Sequence, residues 1–108
     1  MAKKTTITPS VKNQIQRYKE LLNQSGISYD RLILFGSQVK GTAHEYSDID
    51  LCVISKSFGS NSFDERVMLS QLKTDQTIDI EPHPLSPEEF NNKYYTLAAE
   101  VKKYGVVV

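Results

Sequence analysis

The chain has no tryptophan, a single cysteine and no excess of charge of either sign. Cys52 has no second cysteine to pair with, so an internal disulfide is excluded and a reducing, cytoplasmic setting is expected. Lys and Arg number 13, as do Asp and Glu, which argues against a protein held to nucleic acid or to a membrane by bulk charge. No apolar run is long enough to cross a bilayer. The basic start Met1-Ala2-Lys3-Lys4 has no apolar stretch behind it to act as a signal region. Internal repeats and low-complexity segments are missing too. What is present is ordinary for a globular protein: 39% hydrophobic and 24% charged residues over 108 positions. That length accommodates one domain, residues 1–108, with a real but modest core.

Helical spacing of Val11, Ile15, Tyr18, Leu21 and Leu22 predicts a helix over residues 10–24, stopped by Gly26. Leu32-Ile33-Leu34-Phe35 shows no alternation and predicts a strand covered on both faces. Gly36 allows a tight turn into a short helix over 37–42, closed by Gly41, with 43–47 as loop. Residues 48–55 predict a second strand, with Ile49, Leu51 and Val53 on one face and Asp48, Asp50, Cys52 and Ile54 on the other. Ser62 and Glu65 have capping spacing ahead of a helix that buries Val67, Met68, Leu69 and Leu72. Residues 76–81 alternate, Ile78 and Ile80 against Thr77, Asp79 and Glu81, and predict a third strand ended by Pro82 and Pro84. Ser86-Pro87-Glu88-Glu89 opens a last helix with Phe90, Tyr94, Leu97, Ala98, Val101 and Tyr104 as its stripe. Residues 106–108 read either as a docked tail or as an extension of the sheet. The expected class is α/β (α+β): a small mixed sheet with helices on one face, the acids lying on a partly open face.

Two aspartates separated by one residue on a strand project from the same face. Like charges that close oppose each other's ionisation, and a divalent cation removes the conflict. Oxygen ligands without Cys or His suit a hard ion such as Mg²⁺. Asp79 or Glu81, on the polar face of the next strand, would complete a three-carboxylate cluster with Asp48 and Asp50. Gly36-Ser37 offers the anion-binding half: glycine lets backbone approach a phosphate, the helix start presents free N–H groups, and the Ser37 hydroxyl can donate. Taken singly these features are common, since most Asp-x-Asp pairs are solvated or cap a turn. Their joint order (strand, Gly-Ser, short helix, Asp-x-Asp opening a second strand) points to phosphoryl or nucleotidyl transfer with two metal ions.

Phe35-Gly36-Ser37, followed after residues 38–47 by Asp48-Ile49-Asp50-Leu51, resembles the signature of the polymerase-beta-type nucleotidyltransferase superfamily. The likeness is to the minimal nucleotidyltransferase domains of bacteria and archaea, spans residues 30–90, and extends to Gly41 and Ser47. It implies a nucleotidyltransferase fold in which Asp48 and Asp50 bind both Mg²⁺ ions. A third acid would bind one ion and help to deprotonate the attacking hydroxyl; Asp79 is favoured for it, with Glu81 the alternative. Gly36 and Ser37 would contact the nucleotide. Many relatives have arginine where this chain has Gln38, so either Lys40 would supply the positive charge or the grip on the phosphates would be weaker. His44 and His83 lie outside the family's core set and read as structural or solvated, and Cys52 as a small packed residue.

The resemblance further implies a Mg²⁺-dependent adenylyltransferase that moves AMP from ATP to a hydroxyl. Larger relatives carry acceptor-binding domains, and 108 residues leave no room for one, so the acceptor surface is expected on another chain. The partner implied is a companion helical protein, this chain being the antitoxin of a toxin–antitoxin pair. Homo- and hetero-oligomers both stay open, and nucleic acid is not the expected main partner. Two other readings stand beside this one: a binding module that masks a partner without transfer, and an adenylyltransferase acting on a small molecule such as an aminoglycoside.

Overall fold

The computed structural model describes residues 7–43 and 47–108. Thr8 starts the first helix, its hydroxyl accepting the Val11 N–H while Pro9 occupies the first turn. That helix, α1 (Pro9–Gln24), buries Val11, Ile15, Tyr18 and Leu22. It is followed by β1 (Arg31–Phe35), α2 (Ser37–Lys40), β2 (Ile49–Ile54) and α3 (Ser62–Gln71). A 3₁₀ turn (Asp75–Thr77), β3 (Ile80–Leu85), α4 (Pro87–Phe90), α5 (Thr96–Tyr104) and β4 (Val106–Val107) complete the order. The strands form one mixed sheet in the order β3-β2-β1-β4. β1 runs antiparallel to β2 and to β4, and β2 runs parallel to β3. The C-terminal valines therefore extend the sheet.

The mixed sheet expected from the sequence is present, and the structure adds a second helical layer. Leu32, Leu34, Ile49, Leu51, Val53 and Ile80 pack with the buried residues of α1 and with Leu69 of α3. On the other face Ile33, Phe35, Cys52, Ile54 and Leu85 pack with Phe90 of α4 and with Ala98 and Val101 of α5. The cause is legible in β1, whose unbroken apolar run must be covered on both sides. Near Asp50, Glu81 and His83 this second face is partly open to solvent. Tyr18 ties the first layer together by donating its hydroxyl to the Leu69 carbonyl at 2.8 Å.

Two expected elements differ in extent. The third strand starts at Ile80 and runs through both prolines. Thr74 and Thr77 cap each other reciprocally and turn residues 75–77 into 3₁₀ structure, which delays the strand. The prolines are tolerated because β3 is an edge strand. The carbonyls of Asp79 and Leu85 accept from Ile49 and Ser55, so odd-numbered residues face β2 and Pro82 and Pro84 face the free edge. The last helix is broken after Phe90, where the Asn92 side chain accepts the Tyr94 N–H at 3.0 Å and makes a local turn. Tyr94 is left exposed instead of joining the stripe. Among the described residues, no helix is long and apolar enough to cross a membrane.

Candidate functional site

Sheet register builds the site. Phe35 lies opposite Asp50 in the antiparallel pair, and Asp50 opposite Glu81 in the parallel one. The chain leaves β1 at Gly36, whose φ of 78° is strained for any residue with a side chain. A Cβ there would overlap Oδ2 of Asp50. The bare backbone of the Gly36-Ser37 turn thus lies directly against this carboxylate, and α2 begins beside it with Gly36 as its cap.

The Glu81-Pro82-His83-Pro84 segment supplies the rest. A residue that precedes proline is steered to extended backbone. Glu81 and His83 both precede one, so two consecutive same-face positions of β3 are held extended. The His83 Nε2 lies 3.2 Å from Asp50 Oδ1 and 3.9 Å from Glu81 Oε1. Phe35 meets the imidazole in an edge-on contact with ring centres 5.1 Å apart. One ligand atom from each of Asp50, Glu81 and His83 falls within 4.8 Å of the others. Arg66 of α3 reaches Glu81 at 2.6 Å, an exposed ion pair that orients the carboxylate more than it stabilises the fold. Two carboxylates and an imidazole converging in this way are a donor set for a divalent cation.

The other residues singled out in the sequence are placed as follows. Asp48 is exposed, immediately ahead of β2, and is not one of the three converging groups. Gln38 spans the mouth of the loop, its amide donating to the carbonyls of Asp48 at 3.3 Å and Ser47 at 3.5 Å. Asp79 precedes β3 and is paired twice with α1: the Gln14 amide donates to its carboxylate at 2.8 Å, and its own N–H donates to Gln14 Oε1 at 3.1 Å. It is not brought to Asp50. Ser37 is half-buried in the first turn of α2. Lys40 is turned to α5, 2.9 Å from Glu100 and 4.8 Å from the Tyr104 ring centre. The hydrogen bond that Lys40 donates to Glu100 raises its pKa above the ordinary lysine value. His44 lies outside the described residues. His83, read from the sequence as structural, joins the acids; the signal was its spacing of two from Glu81.

Cys52 is buried beneath this face, and burial pushes its thiol from 9.0 up to about 12, with a smaller push from Glu89. A thiol raised in the folded state contributes stability fully below pH 9.0 and loses it as pH climbs toward about 12. Iodoacetamide at pH 8 is accordingly expected to spare Cys52 in the native protein and to alkylate it readily in urea. Equal rates in the two states would place the thiol at the surface.

Two hollows lie near these residues, the first bordering His83 and the second bordering Asp79. One of about 240 Å³ is lined by Phe63, Arg66, His83, Tyr95 and Leu97. The other, about 530 Å³ on the α1 side, is lined by Ser10, Gln14, Gln38, Ser47 and Asp79.

A family model described as nucleotidyltransferase domain matches residues 11–105. A Methanocaldococcus jannaschii protein described as a candidate protein adenylyltransferase is 34% identical over 83 residues, 73% of this chain. The match takes in 54% of that protein, so the chain spans about half the length of its relative. Among solved structures, a toxin–antitoxin complex with AMP-PNP is similar with a TM-score of 0.61 and 25% identity, over 93% of this chain and 72% of that one. A candidate nucleotidyltransferase of Sulfolobus solfataricus shares the fold, with a TM-score of 0.59 and 20% identity over 94% of this chain and 87% of that one.

Proposed function

Because the chain belongs to the nucleotidyltransferase domain family, we propose that it transfers AMP from ATP to a hydroxyl group beside Asp50. The observation that carries this reading is the convergence of Asp50, Glu81 and His83 against the bare backbone of Gly36. Asp48 and Asp50 are our choice for the first two acids. Glu81 is our choice for the third, because the Asp79 carboxylate is already held by Gln14. Mg²⁺ held by these acids would neutralise both the triphosphate and the carboxylates' own repulsion. The Gly36-Ser37 turn offers N–H groups and a hydroxyl to the phosphates, and its importance grows because Lys40 is engaged by Glu100. In the transfer, the acceptor oxygen bonds to the α-phosphorus and the bond from that phosphorus to the bridging oxygen breaks. Pyrophosphate leaves, and the hydroxyl proton passes to a carboxylate of the cluster, for which Glu81 is best placed.

For the acceptor we favour a hydroxyl on a companion protein, with this chain in the antitoxin role. The support is the relative described as a candidate protein adenylyltransferase and the similarity to a toxin–antitoxin complex with AMP-PNP. The test incubates the chain with the protein encoded beside it, Mg²⁺ and α-labelled ATP. Label on the companion that disappears with Asp50→Asn supports transfer. A tight complex that carries no label and survives Asp50→Asn turns the reading into a masking module. Label on an added aminoglycoside and not on the companion assigns a small-molecule acceptor.

A further inference from the structure

We propose that His83 is itself a ligand of the cation site, giving it two oxygen donors and one nitrogen donor where an all-carboxylate set would be expected from the Asp-x-Asp pattern. The inference rests on the nucleotidyltransferase reading, since that reading is what puts a divalent ion beside Asp50. Three observations carry it. The Nε2 atom of His83 shares a 4.8 Å envelope with one oxygen each of Asp50 and Glu81. The ring is held there from two directions, by the edge contact with Phe35 at 5.1 Å and by a backbone fixed between Pro82 and Pro84. The alternative third acid, Asp79, is bound to Gln14 at 2.8 Å. The same nitrogen stands at hydrogen-bond distance from Asp50 Oδ1, 3.2 Å, so a role that only positions Asp50 is the alternative that the experiment must separate from ligation.

Imidazole nitrogen favours Mn²⁺ and later divalent metals over Mg²⁺, which prefers oxygen. The site is therefore expected to bind Mn²⁺ well ahead of Mg²⁺, and the preference should depend on His83. A residue that only positioned Asp50 would change the affinity for both ions alike. Replacing the ring by glutamine keeps a polar side chain able to reach Asp50 while exchanging nitrogen for oxygen.

The experiment measures Mn²⁺ binding to the full chain by the loss of the free-ion electron paramagnetic resonance signal, with Mg²⁺ as competitor. Wild type, His83→Gln and Asp50→Asn are compared, and circular dichroism melts establish that each variant is folded. The expected result is a Mn²⁺ to Mg²⁺ affinity ratio that falls about tenfold in His83→Gln. An unchanged ratio overturns the proposal, whether both affinities fall together or neither moves, and so does a wild-type protein that binds neither ion. Asp50→Asn separates the two levels of the argument. Binding of both ions lost in Asp50→Asn, with the ratio unchanged in His83→Gln, removes the histidine ligand and keeps the nucleotidyltransferase site. Mn²⁺ binding that persists in Asp50→Asn removes the site from Asp50 and the proposal with it.

Discussion

Glu81→Gln is expected to slow nucleotidyl transfer on the order of a hundredfold, while Asp79→Asn leaves it within about threefold. Both residues carry a carboxylate, and both stand at odd positions of one short segment. Their surroundings separate them. Glu81 pairs in register with Asp50 across the parallel strands, which puts the two carboxylates on one face. Asp79 comes before the strand begins, and Gln14 takes both its carboxylate and its N–H. Replacing Asp79 by asparagine keeps an acceptor for the Gln14 amide, so its cost should be structural and small. Initial rates with saturating ATP, compared at equal folded concentration, check the pair. The reverse order of effects would move the third acid to Asp79.

Gly36→Ala should be about as damaging to transfer, and for a different reason. At φ 78° and ψ −150°, a backbone region essentially reserved for glycine, an alanine costs roughly 1–3 kcal/mol of strain. Its Cβ would also overlap the Asp50 carboxylate, which must rotate out of the group it forms with Glu81 and His83. Gly41 is the built-in control. Its φ of 76° with ψ of 18° lies in the left-handed helical region, a milder strain than at Gly36, and a Cβ there meets nothing within 4 Å. Gly41→Ala is thus expected to lower stability by roughly 1–2 kcal/mol while transfer stays near wild type. Urea unfolding and transfer rates measured on both variants separate strain from obstruction. Equal activity losses in the two would show that strain alone accounts for the effect.

The parts of this molecule that could be read from the sequence are those set by neighbours along the chain. The unbroken run of β1, the Gly36-Ser37 turn, the short α2 closed by Gly41 and the strand opening at Ile49 are all local patterns. Cys52, expected as a small packed residue, is buried. What escaped depended on partners distant in sequence. Proline ends a strand when both edges are paired, but β3 has a free edge, and that is a property of the sheet order. Reading Pro82 as a stop hid the alternation of Glu81 and His83 and turned attention to Asp79. Gln14 engages Asp79 from 65 positions away, and Glu100 engages Lys40 from 60 positions away, so neither pairing left a mark near the residue it governs. The second helical layer was foreshadowed in β1, whose apolar residues on both faces require two covers. The break between α4 and α5 was written in Asn91-Asn92, beneath an apolar stripe that otherwise continues.

The most direct test follows the fate of each phosphate of ATP. Parallel reactions carry label at the α- or the γ-phosphate, with the companion protein and Mg²⁺ present. The α-label is expected on the acceptor, the γ-label in released pyrophosphate, and both products are expected to be lost with Asp50→Asn. Label from the γ-phosphate on the acceptor, or α-label transferred by Asp50→Asn at the wild-type rate, would contradict it.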